Sequence, residues 1–217
     1  MPRMRRERAF PAPDVDETDM KMLTFLAWIT TIRIHAATET AMSSTPVQPS
    51  PIDRINAMSA ADFSAAFGPV YEHTPWIAER AFARAPFASR TELWLALLAV
   101  VQGMSEDERL ALLRAHPELA GKEAQAGTLT AESAREQAAA GLGLLSPEER
   151  ARFAELNRAY RERFGFPFVI CARLNRKAAI FAAIEGRLEN TREQELQNAV
   201  AQVSEIVRLR VNDLVAA

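Results

Sequence analysis

Cysteine is almost missing from this sequence, since Cys171 is the only one among 217 residues. A single thiol allows neither an intrachain disulfide nor a zinc site built from several cysteines. The cysteine content therefore gives no reason to place the protein in an oxidising compartment. We expect a cytoplasmic protein.

Net charge and long apolar runs are lacking as well. The chain has 26 Lys and Arg residues against 28 Asp and Glu residues, a formal net charge of -2. No global basic field is present to attract nucleic acid or an anionic membrane. The apolar run MLTFLAWITTIRI, at residues 22–34, is too short to span a bilayer, which takes about 20 apolar residues. We therefore expect neither nucleic acid nor a membrane as a partner.

Glycine is scarce, with 8 residues, and no stretch of useful length alternates between apolar and polar residues as a half-buried strand does. Alanine, leucine, glutamate and arginine are abundant instead, and these residues favour helices. The apolar content of 48% is ample for a core. The sequence thus predicts an all-α fold, a single compact bundle of roughly eight helices.

Signals for helix starts recur from Pro51 onward. Four segments fit the capping-box pattern, namely SRTE (Ser89–Glu92), SEDE (Ser105–Glu108), SPEE (Ser146–Glu149) and TREQ (Thr191–Gln194). Thr74 and Asn175 are predicted caps of two further helices, the first with Pro75 at the first helical position. The short apolar run FPFVIC is a candidate for an extended, buried segment.

The first fifty residues differ from the rest of the chain. Basic MPRMRRER is followed by acidic PDVDETD, by the apolar run and then by AMSSTPVQPSP, which is rich in Ser and Pro like a linker. We interpret residues 1–50 as a disordered or loosely attached extension, with Met42 as the real start, and residues 51–217 as the folded domain. The alternative is a cleaved or membrane-associated leader, although the intervening acidic stretch does not suit a signal peptide.

His116, one of three histidines, stands in the segment RAHPELAG, at the predicted end of a helix begun at Ser105. Pro117 disfavours helical geometry at the residue before it, so the imidazole should leave the regular helical face. It also lies beside the carbonyl groups of a helix C-terminus. Two interpretations stay open: a histidine that caps those carbonyls, or a histidine placed in a functional site.

Ser133, Glu136 and Arg210 are further candidates. Ser133 and Glu136 are three residues apart and share one face of a predicted helix, although SARE is also a capping-box pattern. In the last helix Arg210 falls on the apolar side with Ile206, whereas Arg208 falls in the polar stripe and should point to water. A buried arginine needs an anion, either a protein carboxylate or a bound substrate.

Four separated motifs carry a resemblance to a known family: HPELAG, GTLTAESAREQAAAGL, LNRAYRERFGFPFVICARL and VRLRVNDL. In this order they resemble the 2-oxo-4-hydroxy-4-carboxy-5-ureidoimidazoline (OHCU) decarboxylases, from about Pro51 to the C-terminus. The resemblance implies an all-α homodimer that converts OHCU to (S)-allantoin in urate catabolism, with no metal and no organic cofactor. The alternatives are a helical interaction module without catalysis and a lyase acting on a related ureide.

The resemblance also implies the site residues. His116 and Glu136 match catalytic positions of the family, and Glu118 stands where the family often has aspartate. Ser133 and Arg210 match substrate-binding positions. The remaining implied substrate contacts come from the segment after the histidine and from the FGFPFVI loop: Pro117, Phe166, Phe168 and Ile170. No metal ligand is implied.

Overall fold

The structure is a computed structural model and describes residues 52–215. Within that range the chain forms ten α-helices and no β-strand, which confirms the all-α prediction. The helices are α1 (Ile52–Asn56), α2 (Ala60–Phe67), α3 (Trp76–Phe82), α4 (Arg90–Gln102), α5 (Glu106–Arg114), α6 (Lys122–Ala126), α7 (Ala131–Ala139), α8 (Pro147–Phe164), α9 (Lys177–Arg187) and α10 (Arg192–Leu214). Three 3-10 helices lie between them, Gly68–Tyr71, Leu142–Leu144 and Ala172–Leu174.

The helix count exceeds the predicted eight because two of the helices, α1 and α6, have only 5 residues each. Such short helices carry too few residues to show a helical period in the sequence. The expectations for residues 1–50 and for Met42 lie outside the described residues. Among the helices of the described range, none combines the length and apolarity that crossing a membrane takes.

Side-chain caps begin several helices as predicted. Ser105, Ser146 and Thr191 each accept the backbone N–H of the third helical residue, whose own side chain accepts the N–H of the cap. These reciprocal bonds are complete capping boxes, so three of the four predicted boxes are confirmed. Ser89 also caps its helix, but the Glu92 carboxylate accepts a hydrogen bond from the Ala88 N–H instead.

Two predicted caps are wrong. Thr74 donates its hydroxyl hydrogen to the Tyr71 carbonyl at 2.7 Å and makes no cap for α3. Asn175 donates its side-chain amide to the Cys171 carbonyl at 2.9 Å, and α9 begins only at Lys177. Both side chains bond to carbonyl groups of the preceding segment, a competing use of short polar residues that the cap pattern does not distinguish.

Helix α10, with 23 residues the longest of the described helices, lies at the centre of the bundle. It contacts α4, α5, α8 and the first 3-10 helix. Because these neighbours cover most of its circumference, Val203, Val207 and Val211 are fully buried. Arg208 is buried too, with its Nη2 3.0 Å from a carboxylate oxygen of Glu205. The prediction that Arg208 points to water is therefore wrong.

A buried polar network joins α8, α9 and α10. The fully buried Glu195 accepts hydrogen bonds from Arg187 Nε at 2.8 Å and from the Tyr160 hydroxyl. Arg187 also donates to the Val169 carbonyl at 2.9 Å and lies over the Phe168 ring, 4.6 Å from its centroid. The FPFVIC segment, which is buried as predicted and lies outside any helix, is thereby fixed to the bundle.

We predict that Glu195→Ala destabilises the fold far more than Glu185→Ala. Removal of the fully buried Glu195 leaves the partly buried Arg187 without its carboxylate, a loss of about 3–5 kcal/mol. Glu185 is the matched control on α9, since its pair with Arg152 is exposed to solvent and such pairs contribute about 0–1 kcal/mol. Urea denaturation measures both free energies of unfolding. Equal losses would contradict a special role for the buried network.

Candidate active site

A pocket of about 380 Å³, its open mouth included, lies where α5, α7 and α10 meet the segment before the third 3-10 helix. Most of the predicted site residues line it: His116, Pro117, Ser133, Glu136, Phe168, Ile170 and Arg210. The other lining residues are Glu72, Leu119, Gln137, Val169, Ala172 and Ile206. The structure therefore brings together residues that are up to 138 positions apart in the chain.

Phe166 is the one predicted site residue that does not line this pocket. Its ring is fully buried and packs against Tyr160 and Phe164, with centroids 5.9 and 6.1 Å apart. Its side chain packs in the core beside the end of α8. The contact that the resemblance implies for the FGFPFVI loop is one of its backbone, so the substrate contact of Phe166 stays a prediction.

His116 follows the end of α5 and is only 8% exposed. Its Nδ1 lies 2.9 Å from the Leu112 carbonyl oxygen. A carbonyl only accepts hydrogen bonds, so Nδ1 carries the hydrogen and Nε2 keeps a free lone pair. Burial lowers the pKa of His116, although the Leu112 carbonyl and Glu72 act in the opposite direction. The imidazole is thus a neutral base, and it both caps α5 and lines the pocket.

Arg210, 4% exposed, lies against a carboxylate of α7. Its Nε donates to one oxygen of Glu136 at 3.0 Å and its Nη2 to the other at 2.8 Å. Two parallel bonds of this kind are the strong bidentate arrangement of arginine and carboxylate. Nη1 donates to the Val70 carbonyl at 3.3 Å. Of the two anions that the sequence left open for Arg210, the structure contains a protein carboxylate.

Glu72 is a pocket residue that sequence reasoning missed. Its carboxylate accepts hydrogen bonds from Arg210 Nη2 at 2.7 Å, Ser133 Oγ at 2.5 Å and Thr130 Oγ1 at 3.1 Å. Burial by itself raises the pKa of Glu72, but the Arg210 charge and the bond from Ser133 outweigh it and hold the pKa below its usual value. No signal in the sequence distinguishes it, because it is one of 28 acidic residues and belongs to none of the motifs.

Helix α7 presents Ser133 and Glu136 to the pocket. Thr130 accepts the Ser133 N–H at 3.3 Å, so Thr130 is the cap of this helix and the interpretation of SARE as a capping box is wrong. With the helix beginning at Ala131, Ser133 and Glu136 lie one turn apart on the same face, as predicted. Both bond to Arg210, Ser133 through Oγ at 3.2 Å from Nη2.

The loop around the HPELAG motif is fixed by side chains of α7 and α8. Gln137, a second pocket residue that the sequence did not single out, accepts the Ala120 N–H at 2.9 Å. Glu118 pairs with Arg161 on α8 at 2.7 Å and does not line the pocket. The glutamate in place of the family's frequent aspartate therefore lies outside the pocket.

Fold and pocket together define an all-α protein with a neutral histidine, two carboxylates and an arginine in one cavity. A family model described as OHCU decarboxylase matches residues 56–212, and the chain belongs to that family. It is 42% identical over 166 residues to the putative 2-oxo-4-hydroxy-4-carboxy-5-ureidoimidazoline decarboxylase of Homo sapiens, covering 76% of this chain and 96% of the relative. The Mus musculus decarboxylase of the same name is 40% identical over 164 residues, covering 76% and 92%.

Solved structures agree with this assignment. A crystal structure of (S)-allantoin synthase matches with a TM-score of 0.63 and 30% identity, over 77% of this chain and 54% of that one. A crystal structure of OHCU decarboxylase in the presence of (S)-allantoin has a TM-score of 0.56 and 21% identity, over 74% of this chain and 100% of that one. At this lower identity the second likeness concerns the fold alone.

We predict that His116 is the Nδ1–H tautomer at pH 7 and titrates below the ordinary value of about 6.5. Long-range ¹H–¹⁵N NMR on histidine-labelled protein distinguishes the tautomers, and a His116→Asn spectrum assigns the signal. Because the folded-state pKa is lowered, the stability that this group contributes is complete above about pH 6.5 and is lost as pH falls through the folded-state pKa. An Nε2–H tautomer, or titration above the ordinary value, would contradict the assignment.

Proposed function

We propose that this protein is a carboxy-lyase that converts OHCU to (S)-allantoin in urate catabolism. Membership of the OHCU decarboxylase family supports the reaction. The observation that carries the proposal is the neutral, buried His116 that lines a pocket together with Arg210 and Glu136, at the positions where the family resemblance implies the site.

The chemistry of the substrate suits such a site. As its name states, OHCU has a carboxyl group and a hydroxyl group on one ring carbon, next to the carbon that bears the ureido group. When the bond to the carboxylate breaks, CO2 leaves and the electron pair moves toward the neighbouring imine-like carbon. The substrate is its own electron sink, so we propose catalysis without a metal or an organic cofactor.

Three proton movements complete the reaction. The hydroxyl loses its proton, which turns its carbon into the ring carbonyl of allantoin. One proton is added to the ureido-bearing carbon and one to the former imine nitrogen, which becomes a ring N–H. In balance, the substrate anion takes up one proton and releases CO2. Delivery of that proton to one face of the ring sets the (S) configuration, so the protein must hold the substrate in one orientation.

Each proposed role follows from the hydrogen-bonding capacity of the side chain. His116 accepts the hydroxyl proton at Nε2 and returns a proton to the ureido-bearing carbon as the general acid–base. Glu136 accepts a hydrogen bond from a substrate N–H while its bidentate pair with Arg210 holds the carboxylate in place. Ser133 bonds to the ureido group. Arg210 itself contacts a substrate oxygen through the one Nη1 hydrogen that its protein partners leave available.

The pocket wall supplies the remaining proposed contacts. Pro117, Phe168 and Ile170 line it and would hold the ring, Phe168 and Ile170 by their backbone groups. The Val169 carbonyl between them is already bonded to Arg187, which fixes the wall in place. The homodimer that the resemblance implies and the cytoplasmic location belong to the same proposal, and light scattering of the purified protein measures the oligomeric state.

The reaction is tested by adding the purified protein to urate with urate oxidase and hydroxyisourate hydrolase and following the optical rotation. We expect rapid formation of (S)-allantoin with the wild type. His116→Asn should reduce the rate by about a hundred- to ten-thousandfold, the usual contribution of a general acid–base group. Circular dichroism checks that the variant is folded. Racemic product at the uncatalysed rate with the wild type would refute the proposed function.

We further predict that Arg210→Lys lowers kcat/KM by tenfold or more, because an ammonium group cannot present the planar fork that Glu136 occupies. Loss of one charged hydrogen-bond set corresponds to about 1.5–3 kcal/mol. Arg208→Lys is the matched control, a buried arginine on the same helix whose carboxylate partner is Glu205. Equal losses at the two positions would remove Arg210 from the proposed site.

A further inference from the structure

We propose that Glu72 is a positioning residue of the proposed decarboxylation site, where it holds the Arg210 guanidinium in place and fixes the direction of the Ser133 hydrogen bonds. The inference rests on the proposed function. Neither a sequence motif nor the family resemblance led to this residue, and the geometry of its carboxylate carries the inference.

The side-chain partners of the Glu72 carboxylate are two pocket residues and Thr130, which caps α7. The Glu72 side chain is 1% exposed and bonds to Arg210, Ser133 and Thr130. A buried carboxylate is costly unless it is paired and hydrogen-bonded. Glu72 meets that demand through Arg210 of α10 and through Ser133 and the cap of α7, and thereby links the two helices that carry the other polar pocket residues apart from His116.

The backbone at Glu72 supports a role for the side chain. Its φ of 55° and ψ of -118° combine in a conformation that is disfavoured for any side chain and that glycine adopts most readily. The turn alone would therefore favour a different residue. A glutamate in this conformation, with its carboxylate on Arg210, indicates that the carboxylate is what the position requires.

Glu72 determines what Ser133 can offer a substrate. The Ser133 hydroxyl has one hydrogen, and a carboxylate only accepts, so that hydrogen points to Glu72 at 2.5 Å. One lone pair of Ser133 receives Arg210 Nη2 at 3.2 Å. Only the second lone pair remains, and it accepts a hydrogen bond from a substrate N–H or O–H. Ser133 thus selects a hydrogen-bond donor, such as an N–H of the ureido group, over a carbonyl.

Glu72 also sets the charge balance of the pocket. One guanidinium stands between two carboxylates, Glu72 and Glu136, so its positive charge is already compensated. A free guanidinium would pair with the substrate carboxylate and stabilise it most before CO2 leaves, when the charge is still there. That contact would favour the ground state over the transition state. By occupying Arg210, Glu72 keeps it from this pairing.

The negative charge of Glu72 also affects the pKa of His116. The charged and titratable groups around His116 are Glu72 and His73 from the turn, Arg210 from α10 and Glu136 from α7, beside the Leu112 carbonyl of its own helix. Burial lowers the pKa of His116 most, Glu72 raises it, and Arg210 and His73 lower it further. Neutralising Glu72 should therefore lower the pKa of His116. If neutral His116 is the active base, the rising limb of kcat/KM against pH moves to lower pH.

The test compares Glu72→Gln with Glu205→Gln. Glu205 is the matched control, because its carboxylate pairs with the buried Arg208 on the same helix and does not line the pocket. We expect Glu72→Gln to reduce kcat/KM at least tenfold and to shift the limb to lower pH, while Glu205→Gln stays within about twofold without a shift. Glu72→Gln kinetics equal to those of the control would overturn the proposal.

A second variant keeps the test decisive if Glu72→Gln does not fold. Glu72→Asp retains the charge and shortens the side chain by one methylene, so Arg210 and Ser133 lose their fixed partner. A tenfold lower kcat/KM with an unshifted limb supports the positioning role, and wild-type kinetics overturn it. The outcome for the proposed function is separate, since that proposal fails only if the wild type does not accelerate (S)-allantoin formation.

Discussion

The burial of one positive charge constrains the whole site. Arg210 points into the bundle from α10, where an unpaired guanidinium is not tolerated. Two carboxylates meet it, Glu136 from α7 and Glu72 from the turn after the first 3-10 helix. None of the three charges is compensated until these distant parts of the chain have come together. The pocket is therefore formed by the same contacts that satisfy Arg210.

Helix α10 carries a second buried ionic group, Glu195, about 22 Å further toward its N-terminus at 1.5 Å per residue. Through Arg187 it holds the Phe168–Val169 segment, which forms another wall of the pocket. The two networks thus fix different walls from one helix. Such buried pairs add little net stability beyond well-packed apolar residues, but removal of one partner is costly, so they specify the arrangement of the walls.

Local signals were sufficient for much of this structure. The caps at Ser105, Ser146 and Thr191 depend only on residues three positions away, and Arg210 was placed on the buried side by the helical period. Glu72 was missed because its partner Arg210 is 138 residues away and no pattern in the turn reports that contact. The placement of Arg208 failed for the related reason that a period identifies one buried face, whereas α10 is covered on most sides.

His116 shows how local structure and site chemistry depend on a single bond. The two interpretations of the histidine, as a cap and as a site residue, are compatible, because its two nitrogens have different surroundings. Nδ1 donates to the Leu112 carbonyl and so caps the last turn of α5. Because Nδ1 carries the hydrogen of the neutral ring, Nε2 is the unprotonated nitrogen. With Arg210 compensated and the imidazole neutral, the pocket is prepared to move a proton and has no unpaired cation to hold an anion in place. That division fits a reaction in which the substrate supplies the electron sink and the protein supplies the proton transfer.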